Sequence, residues 1–307
     1  MLNYPYANGT IKALENKVLD RNKLFVLAKY DKTEFVNVLL AMNYGNIGST
    51  VEELILNEMK KTKEVINSVS PCIEDTNLFY LVNDAQNIKI LYKIKNFNLI
   101  DKEQFLQDNG GIDNVILANA ILNDDLEPLT KKEKNLIISL NEKTKDITNP
   151  KDLSIIIDDE MYKYSLNTAN HIMKVYLVAK IDITNVTSML RSKNLNWSFE
   201  DFEKVFITGG KININIFKEI YDKDLEIISK AFAPYYNEKI SRIISAKLGF
   251  SRLEVEFDRL ILTIMAEYKD DPFTIGPLIY YYLLKQAESL NVRLLYSSVN
   301  VELRDLI

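Results

Sequence analysis

A chain of 307 residues, 47 % of them apolar, is too long for one small core and too apolar for disorder, and it fits two or three compact modules. Nine glycines and seven prolines are under half the roughly 12 % usual for the pair, so helix breakers are scarce and the long Leu-, Ile-, Lys- and Glu-rich runs predict an all-α protein. The net charge of −5, without any run of five basic residues, excludes the basic stripe of a nucleic-acid binder, and the one cysteine, Cys72, excludes an intramolecular disulfide or a cysteine metal quartet and fits a reduced, cytoplasmic compartment.

In chain order, Met1-Leu2-Asn3-Tyr4-Pro5-Tyr6 has neither the basic flank nor the apolar centre of a signal peptide. The first informative segment runs Asp84-Ala-Gln-Asn87-Ile-Lys-Ile-Leu-Tyr-Lys93-Ile-Lys95-Asn96-Phe97-Asn98, followed by Asp101…Gln104-Phe105 and Gly110-Gly111. Asp158-Asp159-Glu160 is a carboxylate cluster whose members do not share a helix face, and it reads as charge at a helix N-terminus after Ile155-Ile156-Ile157. The only histidine, His171, has neither a metal partner set nor a nucleophile elbow around it and reads as structural or surface.

The second informative segment repeats the first. Asp182-Ile-Thr-Asn185-Val-Thr-Ser-Met-Leu-Arg191-Ser-Lys193-Asn194-Leu195-Asn196 places an Asp, an Asn, a basic residue and Lys-Asn-(Phe/Leu)-Asn at a constant offset of 98. Ser198…Asp201-Phe202 follows at offset 97, and Gly209-Gly210 at offset 99. Asp101 and Ser198 each precede, by three residues, a side chain able to bond back, a variant of the helix capping box. Ile207-Thr208-Gly209-Gly210-Lys211-Ile212 lacks the glycine spacing and the Ser/Thr after Lys of a phosphate loop and reads as a module-boundary turn.

The longest apolar stretch, Phe273 to Leu284, is twelve residues, against about twenty for a membrane span, so the pattern predicts a soluble chain. Tyr280-Tyr281-Tyr282 reads as core packing. A third, partial copy closes the sequence: Glu288-Ser-Leu-Asn291-Val-Arg293-Leu-Leu restores the acid-x-x-Asn core 106 residues after Asp182. Self-similarity at this period predicts three modules, residues 1–108, 109–207 and 208–307. Units of about a hundred residues exceed solenoid repeats and point to closed pseudo-threefold symmetry. On a helix, Asp84/Asn87, Asp182/Asn185 and Glu288/Asn291 are i, i+3 neighbours that can bond carboxylate to amide, beside an apolar stripe of Ile88/Leu91, Val186/Met189 and Val292/Leu295. These helices either carry the acid as surface decoration or line a shared axial surface; the residues alone leave both readings open.

Three segments also carry a family resemblance. Tyr6-Ala7-Asn8-Gly9-Thr10-Ile11-Lys12-Ala13-Leu14, Asp182…Asn185-Val186-Thr187…Leu190-Arg191-Ser192-Lys193, and Pro272-Phe273-Thr-Ile-Gly276-Pro277…Tyr282 with Lys285…Glu288…Asn291-Val-Arg293 resemble, in order, segments of the C subunit of V/A-type rotary ATPases, the family that includes the eukaryotic d subunit. Departures stand at Gly9, Thr10, Gln286, Ala287, Ser297 and Val299, where the family pattern carries other, often charged, residues. The resemblance implies a non-catalytic, all-α central-stalk connector without cofactors or metal. Three similar helical bundles would form a funnel, present once per complex on the cytoplasmic face of the membrane. It would transmit torque between the D and F subunits of the central shaft and the proteolipid ring. Candidate partner-binding residues are Asp84, Asn87, Lys93, Asp182, Asn185, Arg191, Lys193, Glu288, Asn291 and Arg293. The alternative is a helical scaffold for another protein partner.

Overall fold

The computed structural model describes residues 2–99, 103–297, 301 and 305–307. Among them there is no strand, as the scarcity of helix breakers predicts. Asp101 and Val299 lie outside the described residues.

The chain forms two compact units, Met1–Pro71 with Phe232–Ile307, and Cys72–Ala231. The first begins with α1 (Tyr4–Glu15), α2 (Arg21–Leu27), α3 (Lys32–Ala41) and α4 (Val51–Val69). Their starts are written locally. Asn3, Asp20 and Asp31 accept backbone N–H groups of the first turns, and Thr50 with Glu53 forms a complete capping box on α4, each cap contributing about 1 kcal/mol.

The second unit holds α5 (Ile73–Asn77), α6 (Leu81–Phe97), α7 (Asn114–Leu122), α8 (Lys131–Thr144), α9 (Pro150–Thr168), α10 (His171–Asn194), α11 (Phe199–Val205), α12 (Ile214–Ile220) and α13 (Leu225–Ala231). The repeated Lys-Asn-x-Asn signature turns out to be a stop signal. Asn98 and Asn196 adopt left-handed φ of 50° and 54°, which Asn tolerates better than most residues. After α10, Trp197 N–H reaches Ser192 O at 2.9 Å and Asn196 N–H reaches Lys193 O at 3.1 Å, the two bonds of a Schellman ending. Helices α6, α8 and α9 pack together through Ile88, Leu91, Ile137, Leu140, Leu153 and Ile157, all buried. Tyr92 links α6 to α8 by donating to Asn141 Oδ1 at 2.9 Å. Phe199, Phe202, Phe206, Phe217 and Tyr221 form one aromatic cluster seating α11 on α12.

The chain then returns to the first unit with α14 (Lys239–Ser245), α15 (Phe250–Met265) and α16 (Gly276–Ser297). Leu24, Leu27, Phe35, Leu39, Leu54 and Ile55 share one core with Val292, Leu295 and Leu306, so α16 packs against α4 and α1 as well as α15. Tyr281 and Tyr282 are buried, as expected, while Tyr280 is partly exposed beneath Lys269 Nζ, 5.7 Å from its ring.

The expected cuts near residues 108 and 207 fall inside the second unit. One expectation is corrected. Asp158, Asp159 and Glu160 do not begin a helix but lie within α9, whose start is set eight residues earlier by Asn149 and Pro150. There they pair with lysines: Lys89–Asp158 at 2.6 Å, Lys163–Asp159 at 2.5 Å and Lys143–Glu160 at 2.5 Å. Glu160 also accepts from Ser139 at 2.6 Å. Burial works to raise its carboxyl, but hydrogen bonds from Lys143, Ser139 and Lys163 hold it at about 2, against an ordinary 4.5.

A depressed folded-state pKa adds stability that is present above the unfolded value and lost as pH falls toward the folded one. Unfolding stability should therefore decline between about pH 4.5 and pH 2, and Glu160→Gln should flatten that limb while lowering stability at pH 7. Urea melts across this range check it; an unchanged slope in the variant would count against the pairing.

Candidate functional site

The three acid-x-x-Asn pairs are the most organised polar feature of the chain, and each does the same thing. On α6, Asn87 Oδ1 accepts Gln107 N–H at 2.8 Å while its Nδ2 donates back to Gln107 O at 2.9 Å. On α10, Asn185 makes the same pair of bonds with Ile207, at 2.9 and 2.8 Å. On α16, Asn291 does so with Ile307, at 2.8 and 3.2 Å. One side-chain amide thus imitates a neighbouring strand for a single residue lying 20, 22 or 16 positions further on. The clamped residues are 107, 207 and 307, a hundred apart.

The acid three residues earlier holds a second point. Asp84 Oδ1 accepts Ile112 N–H at 3.1 Å, Asp182 accepts Lys211 N–H and Ile212 N–H, both at 3.0 Å, and Glu288 Oε1 accepts Leu19 N–H at 2.6 Å. Each point held in this way is followed by an Asx N-cap and a short helix: Ile112-Asp113 before α7, Ile212-Asn213 before α12, Leu19-Asp20 before α2. The carboxylates thus reach across to the backbone of the chain opposite. All six side chains are buried, none above 4 % exposed, where a polar group is retained only if its bonds are satisfied.

The repeated glycine pairs follow from the same geometry. A Cβ on Gly210 would collide with Asp182 Oδ1, and one on Gly111 would lie 3.0 Å from Asp84 Oδ2 and 2.8 Å from Asn77 O. Gly209 also needs a φ of +100°, which side chains rarely adopt. The segment that superficially resembles a phosphate loop therefore cradles an anion belonging to the chain itself, the Asp182 carboxylate.

The third copy is built differently in three linked respects. The acid is Glu, one methylene longer; the segment it reaches, Lys17-Val18-Leu19, has no glycine; and the residue one helical turn before it is Lys285, where the other copies have Leu81 and Ala179. Lys285 is 3 % exposed and bridges Glu288 to Glu58 of α4, the latter at 2.7 Å. Glu58 in turn accepts Gly45 N–H at 3.0 Å. Burial pushes the Glu288 carboxyl up, with Lys285 offsetting only part. Burial acts on Glu58 too, but Lys285 and Gly45 N–H hold it below the ordinary carboxylate value. A cleft of about 620 Å³ in this unit is lined by Lys17, Tyr44, Glu58, Lys61 and Lys285.

The basic candidates lie nearer the surface. Arg191 is exposed in the last turn of α10 and Lys93 is half-buried on α6. Lys193 donates to Tyr221 O and stands 5.4 Å from the Tyr221 ring. Arg293 makes a two-pronged pair with Glu52, both bonds at 2.8 Å, and this holds the Glu52 carboxyl below its usual range. Ser198 caps α11 by accepting Asp201 N–H at 3.2 Å, and His171 stands exposed at the first residue of α10. Among the described residues no cluster of three His, Cys, Asp or Glu could hold a metal ion, and no helix is long and apolar enough to cross a membrane. Sequence reasoning missed the pairing of Lys285 with Glu58, 227 positions apart, and the clamped residues Gln107, Ile207 and Ile307; only the hundred-residue spacing could have signalled the latter.

Gly210→Ala should lower stability by at least about 2 kcal/mol, since it displaces a carboxylate from charge-assisted bonds. Gly9→Ala at an exposed position of α1, where an added Cβ meets nothing, should raise stability by about 0.5–1 kcal/mol. Urea midpoints separate the two; equal shifts would sink the account of the glycine pairs.

Comparison with known proteins completes the site. Residues 7–305 match the family model described as ATP synthase (C/AC39) subunit. The chain is 22 % identical to the A-type ATP synthase C subunit of Thermoplasma volcanium over 335 aligned positions, covering 96 % of this chain and 94 % of that one. It is 30 % identical to the Thermoplasma acidophilum C subunit over 129 positions, 40 % of this chain and 35 % of that one. Against the Archaeoglobus fulgidus C subunit it is 27 % identical over 150 positions, 45 % and 43 % of the two chains. With the match running over residues 7–305, which include all three acid-x-x-Asn pairs, the chain belongs to the ATP synthase (C/AC39) subunit family.

Proposed function

We propose that this chain is a non-catalytic connector in the central stalk of a rotary ATPase. It carries torque between the D and F subunits of the shaft and the proteolipid ring, and sits peripherally at the cytoplasmic face of the membrane. Family membership over residues 7–305 carries the reading. The polar investment of the chain supports it: the buried acids and amides bond to their own backbone, which suits a mechanical part. Within this reading the chain is three modules, 1–108, 109–207 and 208–307, disposed with pseudo-threefold symmetry as a funnel. The recurrence of one clamp at Gln107, Ile207 and Ile307 supports that arrangement. So does the use of Leu19-Asp20 to complete the third copy, as Ile112-Asp113 and Ile212-Asn213 complete the others.

The test is coupling. Membranes stripped of this chain should keep ATP hydrolysis by the catalytic head but lose ATP-driven ion uptake, and adding the purified chain should restore it. Full ion uptake without the chain would overturn the proposal.

Asp84, Asn87, Asp182, Asn185, Glu288 and Asn291 are buried, whereas Arg191 is exposed in the last turn of α10, and that exposure makes it the candidate for a partner contact. A cation in the last turn of a helix contributes about 0.3–1 kcal/mol, so Arg191→Ala should melt almost normally. Its reconstitution between shaft and ring should weaken by about 1–3 kcal/mol, the range for a charge-assisted bond, and more so as salt rises. Unfolding of the variant with normal assembly of the surviving fraction would make Arg191 structural.

A further inference from the structure

One motif is left unexplained by the clamps: the Tyr-Ala-Asn opening of α1. Asn8 is 6 % exposed, and its Nδ2 points at three carbonyls of the loop before α16: Pro272 O and Thr274 O, both at 2.9 Å, and Asp271 O at 3.4 Å. The same loop is fixed from within. Asp271 Oδ1 accepts Phe273 N–H at 3.0 Å and Thr274 Oγ1 accepts Gly276 N–H at 3.3 Å. Pro272 fixes one φ. Gly276 lies so close to the Tyr268 backbone that a Cβ there would collide with it. Below the loop, Ile275 and Leu278 are buried at 1 % and 0 %.

At the tip of this immobilised segment stands Phe273, 74 % exposed. A large apolar ring held out in water by a loop with several internal restraints has already surrendered the conformational entropy that binding would cost, and aromatic residues lead the anchors of protein interfaces. The surroundings define what it meets. Glu267, Asp270 and Asp271, six, three and two positions before it in the chain, are exposed. The nearby cations are engaged: Lys12 pairs with Glu15 at 2.8 Å and Asp270 at 3.4 Å, and Lys269 lies over the Tyr280 ring. The tip is an apolar point on an exposed segment with more acids than bases.

We propose that the loop 270–274 is a preformed docking anchor, and that Phe273 inserts into an apolar socket edged by Lys or Arg side chains on another protein subunit of the rotary ATPase. This rests on the connector reading, and it adds which residues make a contact and what chemistry receives them.

The experiment uses the assembled complex, purified from membranes and washed. Phe273→p-benzoylphenylalanine is incorporated and irradiated, and retention of the chain on the washed complex is measured for Phe273→Ala, Phe273→Leu and Asn8→Ala. The expected result is a crosslink to one protein of the complex, at a peptide holding apolar and basic residues. Phe273→Ala should melt normally yet bind about thirtyfold more weakly, the change that truncating an anchor brings. Phe273→Leu should retain most binding, and Asn8→Ala, which frees the loop but keeps the ring, should fall between. Crosslinks to lipid alone, or Phe273→Ala retained as well as the unsubstituted chain, would overturn the anchor and leave the connector reading standing. Absence of the unsubstituted chain from the complex would overturn both.

Discussion

A loop that crosses the buried side of a helix must find partners for its own backbone, and in this chain three asparagines supply them. An asparagine amide has a donor and an acceptor spaced to match one residue's C=O and N–H. Asn87, Asn185 and Asn291 use both on Gln107, Ile207 and Ile307. Each intramolecular bond contributes only about 1 kcal/mol net, but an orphaned buried group costs about 1–3 kcal/mol. The asymmetry makes the amide hard to replace: Leu would fill the space and strand two backbone groups, while Asp would offer an acceptor where a donor is needed. The acid one turn earlier extends the grip to the segment that starts the next short helix. Helix, loop and following helix are thereby fixed to one another by directional bonds as well as by apolar contact, which is non-directional.

The third copy shows how one constraint rewrites its neighbours. Where Asp faces a Gly-Gly segment, the carboxylate sits directly against the backbone, and no Cβ is admitted. Where the opposite segment is Lys17-Val18-Leu19, the backbone cannot come so close, and the longer Glu288 spans the gap. The cost is a second buried carboxylate, Glu58, within reach of the same ammonium. Replacing buried ion clusters by apolar residues is often neutral or stabilising, while removing one partner is not. The function of Lys285 is therefore best seen in what it organises. Through Glu288 and Glu58 it fixes Leu19 and Gly45, the loops before α2 and α4, against α16.

How much of this was legible in the sequence follows from the range of each interaction. The all-α class is local in origin, so it could be read; the helix stops at Asn98 and Asn196 are equally local, but their signature was read only as a repeat. The repeat was legible because the clamp demands the same residue types at the same spacing, acid and Asn three later, with Gly-Gly further on in the first two copies. What the pattern could not tell was direction. A helix face carrying Asp and Asn looks like a solvated edge or a docking surface, and burial at 0–4 % emerges only when the loop twenty residues on folds back over it. Asp158–Glu160 misled for the opposite reason: three adjacent acids after three isoleucines imitate a helix start, while the operative start, Asn149-Pro150, is the stronger signal by capping and by proline placement. Lys285 with Glu58, and Asn8 with the 271–274 loop, join residues more than two hundred positions apart, beyond any local pattern.

The location of the clamps bears on what such a chain is built to do. In a helical protein the helices are stiff and the interiors nearly incompressible, so compliance collects in the loops, whose backbone groups otherwise turn to water. A part that passes torque loses angle wherever a loop yields. Here the segments after α6, α10 and α16 are tied at residues 107, 207 and 307, and those before α2, α7 and α12 at residues 19, 112 and 212. Side-chain amides and carboxylates are well suited to this because hydrogen bonds are directional, with useful strength only over a few tenths of an ångström and within tens of degrees. Apolar contact would hold the same elements together but let them slide. Restraint by buried polar bonds at the junctions, with apolar packing reserved for the helix faces, is the division of labour that the connector reading requires of its sequence.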